Sequence, residues 1–506
     1  MGKNAADLPR TDSTGRERYW SFLWLALIAA SGLLTFDPKL YVNGDNVDYI
    51  RLAEAVRHGH LWASAKYPPL FPWLLVFPQI LFGTALLPQK VFVFLFFLGS
   101  GYLLLRRARL QFPKWWGEPI VWIAMTILAV LEYGHYVMSE IPYFFFSLVA
   151  LEAADRMGHG PRRWAIVAAI AAAATFYTRS VGLSLWVAAA LVILLHRNLR
   201  RRERWLFVGL SVILILPWGL RTVLGPPNPY FRQLIQVNPF YPEWGLLDGP
   251  GWLRRIGENA RIYLLGEIPT SLFPGIFRWT YDPPEMRYHF LPWFLAWIPL
   301  AFVTIGLLQS IRRTEAVGLY LAFYLILNIL WPSLWTGLRF LVPVLPLLSL
   351  LLFRGVLRLS SVLKSWIPRH GRLAPIFLAV WILLSIRHQT IMAREVQRYP
   401  PVWDAYFKAA EWIRTHTSEP DLIVDRKAAM LAYVTGRRVI GFPRESDPGK
   451  MIAWMAEQGV DYVVVPAIPY DDVRRYLIPA VQAEQYHFAP VYEVEEPYTV
   501  VLRFVP

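Results

Sequence analysis

Long runs of apolar residues alternate with short polar segments along most of the chain. The runs are fifteen to twenty residues long and nearly free of charge, as in 91–105 and 181–195. Runs of this length and purity are typical of helices that cross a lipid bilayer. They predict about eleven transmembrane helices, at 19–36, 88–105, 118–134, 140–155, 164–178, 180–196, 205–221, 291–310, 314–331, 338–353 and 373–387. The pattern therefore indicates a polytopic α-helical membrane protein.

Charge returns after residue 387, and the apolar runs become short. Predicted strands at 421–425, 438–442, 461–465, 490–494 and 498–504 alternate with predicted helices at 402–416, 427–434, 448–458 and 470–484. Such alternation is typical of an α/β domain. We therefore predict a transmembrane domain at 1–387 and a soluble α/β domain at 388–506. The latter has no GxGxxG or Walker loop, so nothing in it indicates nucleotide binding.

Composition supports the membrane assignment and excludes other classes. Of the 506 residues, 56% are hydrophobic and 17% charged, against about 45–50% and about 25% in soluble domains. Disordered, fibrous and disulfide-rich proteins are excluded by these values, and the chain has no cysteine. The first apolar run, 19–36, begins like a signal peptide, but further spans follow, so we expect an uncleaved first helix.

The net charge of +15 is confined largely to short loops between the apolar runs. The basic clusters lie at 3–18, 106–114, 156–163, 197–204, 312–313 and 354–372. Short basic loops stay on the cytoplasmic side of a membrane, which explains the charge better than a nucleic-acid surface does. We predict a cytoplasmic N-terminus and an extracytoplasmic domain 388–506. The absence of Asn-x-Ser/Thr sequons favours a prokaryotic plasma membrane.

One apolar segment, 69–83, does not fit the spanning pattern. It contains Pro72 and Pro78, and a crossing here would place the basic cluster at 106–114 on the opposite side. We predict that it lies along the outer interface, next to protein and headgroups. Together with a short helix at 47–57 it makes 37–87 a long outer loop with juxtamembrane helices. A second outer loop is predicted at 222–290.

Carboxylates stand at the outer ends of the predicted spans. Asp45 and Asp48 follow the first span and are three residues apart, so that both can face the same way at a helix start. A helix cap explains Asp45 equally well. Glu140 opens a span, shortly after His135, and its alternative role is to stabilise the helix dipole.

Cations stand at the same side. Arg179 and Arg339 are isolated arginines at predicted outer turns, where the cytoplasmic basic loops do not account for them; contact with lipid headgroups is the alternative explanation. Lys66 immediately precedes Tyr67-Pro68-Pro69 in the first outer loop. Cations in such positions suit a phosphate at the head of a lipid carrier. A carboxylate beside them suits removal of a proton from an attacking hydroxyl.

Several segments together resemble the GT-C superfamily of glycosyltransferases, which includes the protein O-mannosyltransferases and the lipid A aminoarabinose transferases. The first outer loop contains GDNVDYIRLAEAVRHGHLW, followed by YPPLFPWLLVFPQILFG, which is similar to the juxtamembrane stretch of the family. The further similar segments, in order, are SEIPYFFFSLVAL, TRSVGL, PWGLRTVLGPPNPYFRQLIQVNPFYPEWG and LRFLVPVLPLL.

The resemblance implies a set of site residues. Asp45 corresponds to the catalytic aspartate of the family and Glu140 to its second acidic residue, and we add Asp48 as the residue that orients the loop. Asn46 follows Asp45 where some relatives carry a second acid, so we predict no metal site and no required cofactor. The predicted residues for the lipid phosphate are Lys66, Arg179 and Arg339, with His135 and Tyr67 as accessory residues.

The resemblance also implies the reaction. It predicts an inverting hexosyl or pentosyl transferase that uses a polyprenyl-phosphate-linked sugar and an acceptor hydroxyl of a lipid, glycan or protein at the extracytoplasmic face. A transporter or flippase of lipid-linked sugars is the main alternative, although it needs polar residues at mid-membrane, and 91–105 and 181–195 are almost purely apolar. A non-catalytic scaffold would leave the four outer charges Asp45, Glu140, Arg179 and Arg339 without a role.

Overall fold

The computed structural model describes residues 15–42, 44–157, 161–195, 199–224, 229–273, 293–366, 373–395 and 398–506. Contacts between residues divide these into two compact units. The first, called the membrane unit, takes the described residues up to Leu40 and those from Tyr49 to Glu395. The second, called the C-terminal unit, takes the described residues of Tyr41–Asp48 and those from Arg398 onward.

In the described residues up to Glu395, the regular elements are helices. Its α-helices are α1 Gly15–Leu34, α2 Asn46–Arg57, α3 Leu70–Phe82, α4 Leu86–Gln111, α5 Gly117–Met125, α6 Leu128–Tyr133, α7 Glu140–Met157, α8 Arg163–Thr178, α9 Leu183–Leu195, α10 Arg201–Leu224, α11 Pro229–Ile235, α12 Gly249–Ala260, α13 Ile268–Leu272, α14 Trp293–Arg312, α15 Ala316–Leu330, α16 Leu345–Trp366 and α17 Leu373–Glu395. A π-helical stretch, Arg261–Glu267, joins α12 to α13. Short 3₁₀ turns occur at Ser180–Gly182, Pro242–Trp244, Ser333–Trp335 and Leu338–Phe340.

The predicted membrane class is confirmed. Among the described residues, five helical segments are long and apolar enough to cross a membrane: Leu86–Gln111, Arg201–Leu224, Leu295–Arg312, Leu345–Val362 and Pro375–Arg394. Shorter apolar helices occupy other predicted spans. Helix α3 has 13 residues, which makes it about 20 Å long, against about 30 Å for the hydrocarbon core. Since α9, in a predicted span, also has 13 residues, the placement of 69–83 along the interface stays a prediction.

Two predicted spans differ from the helices observed. The span at 118–134 is divided into α5 and α6, because the chain leaves the helical conformation at Ile127. Thr126 and Ile127 are adjacent β-branched residues, which favour a helix less than straight-chain residues do. The span at 338–353 begins later, with α16 at Leu345; Pro343 and Pro346 then lie before the helix and in its first turn, the positions that proline favours.

The interior of the membrane unit is formed where long helices pack along each other. Helix α7 lies between α4 and α8, and α10 packs on α8, while α14 and α16 form a second close pair. The contact of α7 with α8 is rich in small buried residues, including Ala153, Ala168 and Ala172. Small side chains let helix backbones approach closely in a membrane protein.

The C-terminal unit contains one five-stranded sheet flanked by helices. The strands are β1 Leu422–Val424, β2 Arg438–Ile440, β3 Tyr462–Val465, β4 Phe488–Val494 and β5 Thr499–Phe504, in the order β2-β1-β3-β5-β4. Its helices are α18 Pro401–His416, α19 Ala428–Thr435, α20 Pro448–Gln458 and α21 Ile478–Ala483, the last preceded by a π-helical stretch, Val473–Leu477. The predicted soluble α/β fold is thereby confirmed.

Strand directions follow from the connections. Strand β1 pairs in parallel with β2 and β3, whereas β5 is antiparallel to β3 and β4. Helix crossovers are needed between the parallel strands, and α19 and α20 supply them. Gly436 and Gly459 end these helices in the left-handed conformation, a common helix terminator.

Candidate functional site

Three of the predicted site residues meet in the membrane unit. One carboxylate oxygen of Glu140, Oε1, lies 2.6 Å from Nη1 of Arg179 and 2.6 Å from Nε of Arg339. Arg339 is 199 residues away from Glu140 along the chain. We call these three residues the Glu140 cluster.

Local structure positions Glu140 and Arg179 at the ends of helices. Glu140 is the first residue of α7, where the helix dipole favours a negative charge. Arg179 follows the last residue of α8 in an extended conformation. The next turn contains Gly182, at which a Cβ atom would lie 2.4 Å from the backbone of Thr175. The absence of a side chain there lets the turn after Arg179 pack tightly against α8.

Arg339 lies in the 3₁₀ turn Leu338–Phe340, which two features hold in place. Gly337 before the turn has φ 140°, a conformation that side chains disfavour. The hydroxyl of Tyr324 donates a hydrogen bond to the carbonyl of Phe340. Tyr324 itself is buried beside Tyr320, whose hydroxyl lies 3.0 Å from that of Tyr143 in α7.

The Glu140 cluster carries a net positive charge in a buried place. One carboxylate faces two guanidinium groups, and the side chain of Glu140 is 0% exposed, against 13% for Arg179 and 26% for Arg339. Burial alone would lower the pKa of Arg179, but the Glu140 carboxylate outweighs it and raises that pKa. The other carboxylate oxygen, Oε2, has no hydrogen-bond partner among the described residues.

A chain of contacts connects Lys66 and Tyr67 to the same cluster. Lys66 Nζ donates to the hydroxyl of Tyr67 at 2.8 Å, and the ring centroid of Tyr67 lies 5.1 Å from that of Tyr49. Tyr49 in turn donates to Ser139 Oγ at 3.0 Å, and Arg179 Nη1 donates to that same oxygen at 3.1 Å. Tyr49 and Ser139 were not predicted, because neither the type nor the spacing of these residues marks them in the sequence.

His135 lies in a different buried group. Its Nε2 accepts a hydrogen bond from the backbone N–H of Asp37 at 3.1 Å, and its ring packs on Phe36. The carboxylate of Asp37 binds Lys39 at 2.7 Å, while Lys90 donates to the carbonyl of Asp37 at 2.6 Å. Burial, followed by the nearby Lys90, lowers the pKa of His135 well below its usual value. His135 is therefore a neutral acceptor that holds the chain after α1.

Lys90 and Asp37 were missed in the sequence. Both side chains are 0% exposed. An ionisable residue in an apolar helix is a recognised signal of a specific partner, and Lys90 in α4 fits that description. Its partners are backbone carbonyls, which have no sequence pattern.

Asp45 and Asp48 belong to the C-terminal unit. Gly44 has φ 75°, and α2 begins at Asn46 directly after Asp45. Asp48 lies in the first turn of α2. Asp45 thus occupies the position of a helix cap, so the alternative explanation of this residue stays open. Over the described ranges, no group of three or more His, Asp or Glu side chains is arranged to hold a metal ion.

An open pocket adjoins the turn that carries Arg339. It is small, with a cavity volume of about 20 Å³, and it lies between the junction of α5 with α6, helix α13 and helix α17. Most of its lining is apolar, and it includes Leu128, Phe273, Leu338 and Trp381. Leu338 directly precedes Arg339, but none of the three residues of the Glu140 cluster lines the pocket.

Comparison with known proteins gives a result only at the level of structure. No protein-family model matches the sequence, and no curated protein matches it significantly. The structure resembles that of ArnT from Cupriavidus metallidurans bound to undecaprenyl phosphate, with a TM-score of 0.59 and 15% sequence identity over 96% of this chain and 98% of that one. The chain has a GT-C fold.

A second solved structure with the GT-C fold is also similar. It is the archaeal oligosaccharyltransferase AglB from Archaeoglobus fulgidus, in complex with an inhibitory peptide and a dolichol-phosphate. The TM-score is 0.50 and the identity 13%, over 96% of this chain and 74% of that one. The predicted resemblance is thus confirmed for the fold, whereas the roles of individual residues stay predictions.

Proposed function

We propose that this protein is a membrane glycosyltransferase that transfers a sugar from a polyprenyl-phosphate-linked donor to an acceptor hydroxyl, with inversion. The observation that supports the proposal most directly is the Glu140 cluster, where two partly buried arginines share one buried carboxylate. The likeness of the fold to an ArnT that is bound to undecaprenyl phosphate supports it further.

The cluster has the properties of a site for a lipid phosphate. After pairing with Glu140, Arg179 and Arg339 retain one net positive charge, and both keep part of their side chain exposed. Guanidinium groups bind phosphate oxygens through pairs of hydrogen bonds. Lys66, which is exposed, is the third proposed cation. It is linked to Arg179 by the successive contacts of Tyr67, Tyr49 and Ser139.

In the proposed reaction the acceptor oxygen attacks the anomeric carbon from the face opposite the phosphate. The bond from that carbon to the phosphate oxygen breaks with its electron pair, and the polyprenyl phosphate leaves. Arg179, Arg339 and Lys66 stabilise the charge that develops on the leaving phosphate. Asp45 takes the proton of the attacking hydroxyl, an assignment that rests on the resemblance of its segment to the GT-C enzymes.

Two further features bear on the substrates. The pocket next to Leu338 is too small, at about 20 Å³, to hold a hydrocarbon chain, so we assign no site to the lipid tail of the donor. The acceptor, which is a lipid, a glycan or a protein, is not specified by any feature of the pocket. A transporter of lipid-linked sugars would use the same cations, but it would leave the donor chemically unchanged.

The main test is sugar transfer by the purified protein from a defined polyprenyl-phosphate sugar. Asp45→Asn keeps size and hydrogen bonding but cannot accept the proton, so we expect turnover to fall about 10²–10⁴-fold. Asp48→Asn should reduce it less. Asn caps a helix nearly as well as Asp. If Asp45 only caps α2, the Asp45→Asn variant should therefore transfer sugar at an almost normal rate, and Glu140 would become the candidate base. If the lipid-linked sugar stayed chemically intact with every acceptor, the result would favour a transporter of lipid-linked sugars.

The proposed face of the membrane is tested separately. The chain has no cysteine, so single cysteines report cleanly. Ser418 in the C-terminal unit and Lys114 in the loop after α4 are both exposed. We expect Ser418→Cys to react with an impermeant thiol reagent in intact cells and Lys114→Cys to react only after lysis. The reverse pattern would place the proposed reaction on the cytoplasmic side.

A further inference from the structure

The sheet of the C-terminal unit has a topological switch point between β1 and β3. From β1 the chain crosses to β2 on one side, and from β3 it continues toward β5 and β4 on the other. In open α/β sheets, ligands bind in the crevice at the carboxyl ends of the two strands at such a point. Here the loops that follow these strands carry Arg426 and Lys427 after β1, and Tyr470 and Asp472 after β3.

The turn after β1 is held rigidly. Asp425 is fully buried, and its Oδ2 accepts hydrogen bonds of 2.7 Å from both the hydroxyl of Tyr406 and the backbone N–H of Lys427. Arg426 forms an ion pair with Asp472 across the crevice, and its guanidinium lies 5.2 Å from the centroid of the Tyr470 ring. Lys427 Nζ lies 5.5 Å from the centroid of the same ring.

Lys427 contacts a segment of the same compact unit, Tyr41–Asp48, which contains both predicted catalytic aspartates. Lys427 Nζ lies within 3.5 Å of the carbonyl oxygen of Val42, 385 residues away along the chain. Its ammonium also interacts electrostatically with the carboxylates of Asp45 and Asp48. The two neighbouring basic residues therefore have different partners. Arg426 forms an ion pair with Asp472 across the crevice, and Lys427 contacts the acidic segment.

The charged groups around Lys427 have opposite effects on its pKa. Burial, followed by the adjacent Arg426, lowers the pKa of Lys427, whereas Asp45, Asp425 and Asp48 act to raise it. Burial raises the pKa of Asp425 to about 6, although its hydrogen bonds oppose this. Lys427 is therefore a partly desolvated cation whose attraction for a carboxylate is stronger than it would be in water.

We propose that Lys427 is a positioning residue for the transfer reaction: the crevice of the C-terminal unit, through this lysine, holds the segment Tyr41–Asp48 so that Asp45 is oriented toward the acceptor. The proposal rests on the function proposed above. It gives the C-terminal unit a role in the reaction without requiring it to bind substrate.

The proximity of the Lys427 amine to the carboxylates of Asp45 and Asp48 is tested without any activity measurement. A water-soluble carbodiimide joins a lysine amine to a carboxylate when the two are in contact. In the purified full chain we expect a peptide containing Lys427 to be joined to the peptide containing Asp45 and Asp48, as identified by mass spectrometry. The product should be absent from Lys427→Arg, which has no reactive amine. Failure to find this product in the wild-type protein would overturn the proposal.

Kinetics then test whether the contact matters for transfer. Lys427→Met should lower kcat about tenfold to a hundredfold, as expected for a misplaced catalytic group, with KM for the donor largely unchanged. Lys427→Arg should restore part of the rate because it keeps the charge. Lys450→Met, at an exposed lysine of the same unit, should behave as the wild type.

A double substitution separates positioning from general stability. If Lys427 acts through Asp45, adding Lys427→Met to Asp45→Asn should have little further effect on kcat. Full additivity, or a wild-type rate for Lys427→Met alone, would contradict the positioning role. A wild-type protein that transfers no sugar would instead contradict the proposed function, while the cross-linking result would still decide whether the contact exists.

Discussion

The two ends of α7 carry the same combination of residues in different surroundings. At one end Glu140 binds Arg179 and Arg339, and at the other Glu152 binds Arg106 at 3.3 Å and Arg156 at 2.6 Å. The arginines at Glu152 are 38% and 34% exposed, roughly twice the average exposure of those at Glu140. Each end of α7 thus carries one glutamate with two arginines, and the two clusters differ in their exposure to solvent.

The origin of the arginines also differs between the clusters. Arg156 comes from α7 itself, one turn after Glu152, and Arg106 comes from the neighbouring helix α4. At Glu140 both arginines come from turns between helices. A cluster that brings together separate turns in a buried place is costly to assemble, because each charge must leave water. The comparison supports our proposal that the Glu140 cluster binds a ligand, whereas the more exposed Glu152 cluster has the features of a surface ion pair.

The largest effect is expected from removing each glutamate charge. Glu140→Gln leaves two partly buried guanidinium groups without their carboxylate, which should cost stability up to about the 3–5 kcal/mol expected for breaking a fully buried pair. Glu152→Gln should cost about 0–1 kcal/mol, since its arginines are accessible to solvent. Thermal unfolding of the two variants in the same detergent measures the difference. Equal shifts in Tm would show that burial does not distinguish the clusters.

An intermediate effect is expected from the arginines of the Glu140 cluster. Arg179→Ala and Arg339→Ala each remove charge-assisted hydrogen bonds to the donor phosphate, so kcat/KM for the donor should fall about tenfold to a hundredfold. The loss should be larger for Arg179, which is more buried. Lysine at either position should restore part of the rate, because it keeps the charge and loses the planar fork.

Donor titration with the purified variants provides the measurement. Transfer that depends on donor concentration as in the wild type would remove both arginines from the phosphate site and favour contact with lipid headgroups. Folding of each variant is checked by its elution as a single species in size-exclusion chromatography.

The smallest effect is expected at the other end of the helix. Arg156→Ala breaks an ion pair between residues one turn apart, which contributes about 0.3–0.5 kcal/mol. We expect a small fall in Tm that diminishes with added salt, and an unchanged kcat/KM for the donor. A loss of transfer comparable to that of Arg339→Ala would show that the two clusters are functionally coupled.

Much of the fold could be predicted from the sequence because it depends on local patterns. The apolar runs predicted the long helices of the membrane unit, and the strands of the C-terminal unit were placed within a few residues. The break at Thr126 and Ile127 was missed, since two β-branched residues within a long apolar run give only a weak local signal. The late start of α16 follows from its two prolines.

The candidate site divides in the same way. By itself the sequence determined which ionisable residues stand at helix ends, because a charge next to an apolar run is visible one position at a time. Only the tertiary structure decided that Glu140 joins Arg179 to Arg339, that Tyr49 and Ser139 connect them to Lys66, and that Lys427 contacts the segment of Asp45. These contacts join elements as far apart as 199 and 385 residues. Which distant charges meet depends on how whole helices and strands pack, and no local pattern of residues carries that information.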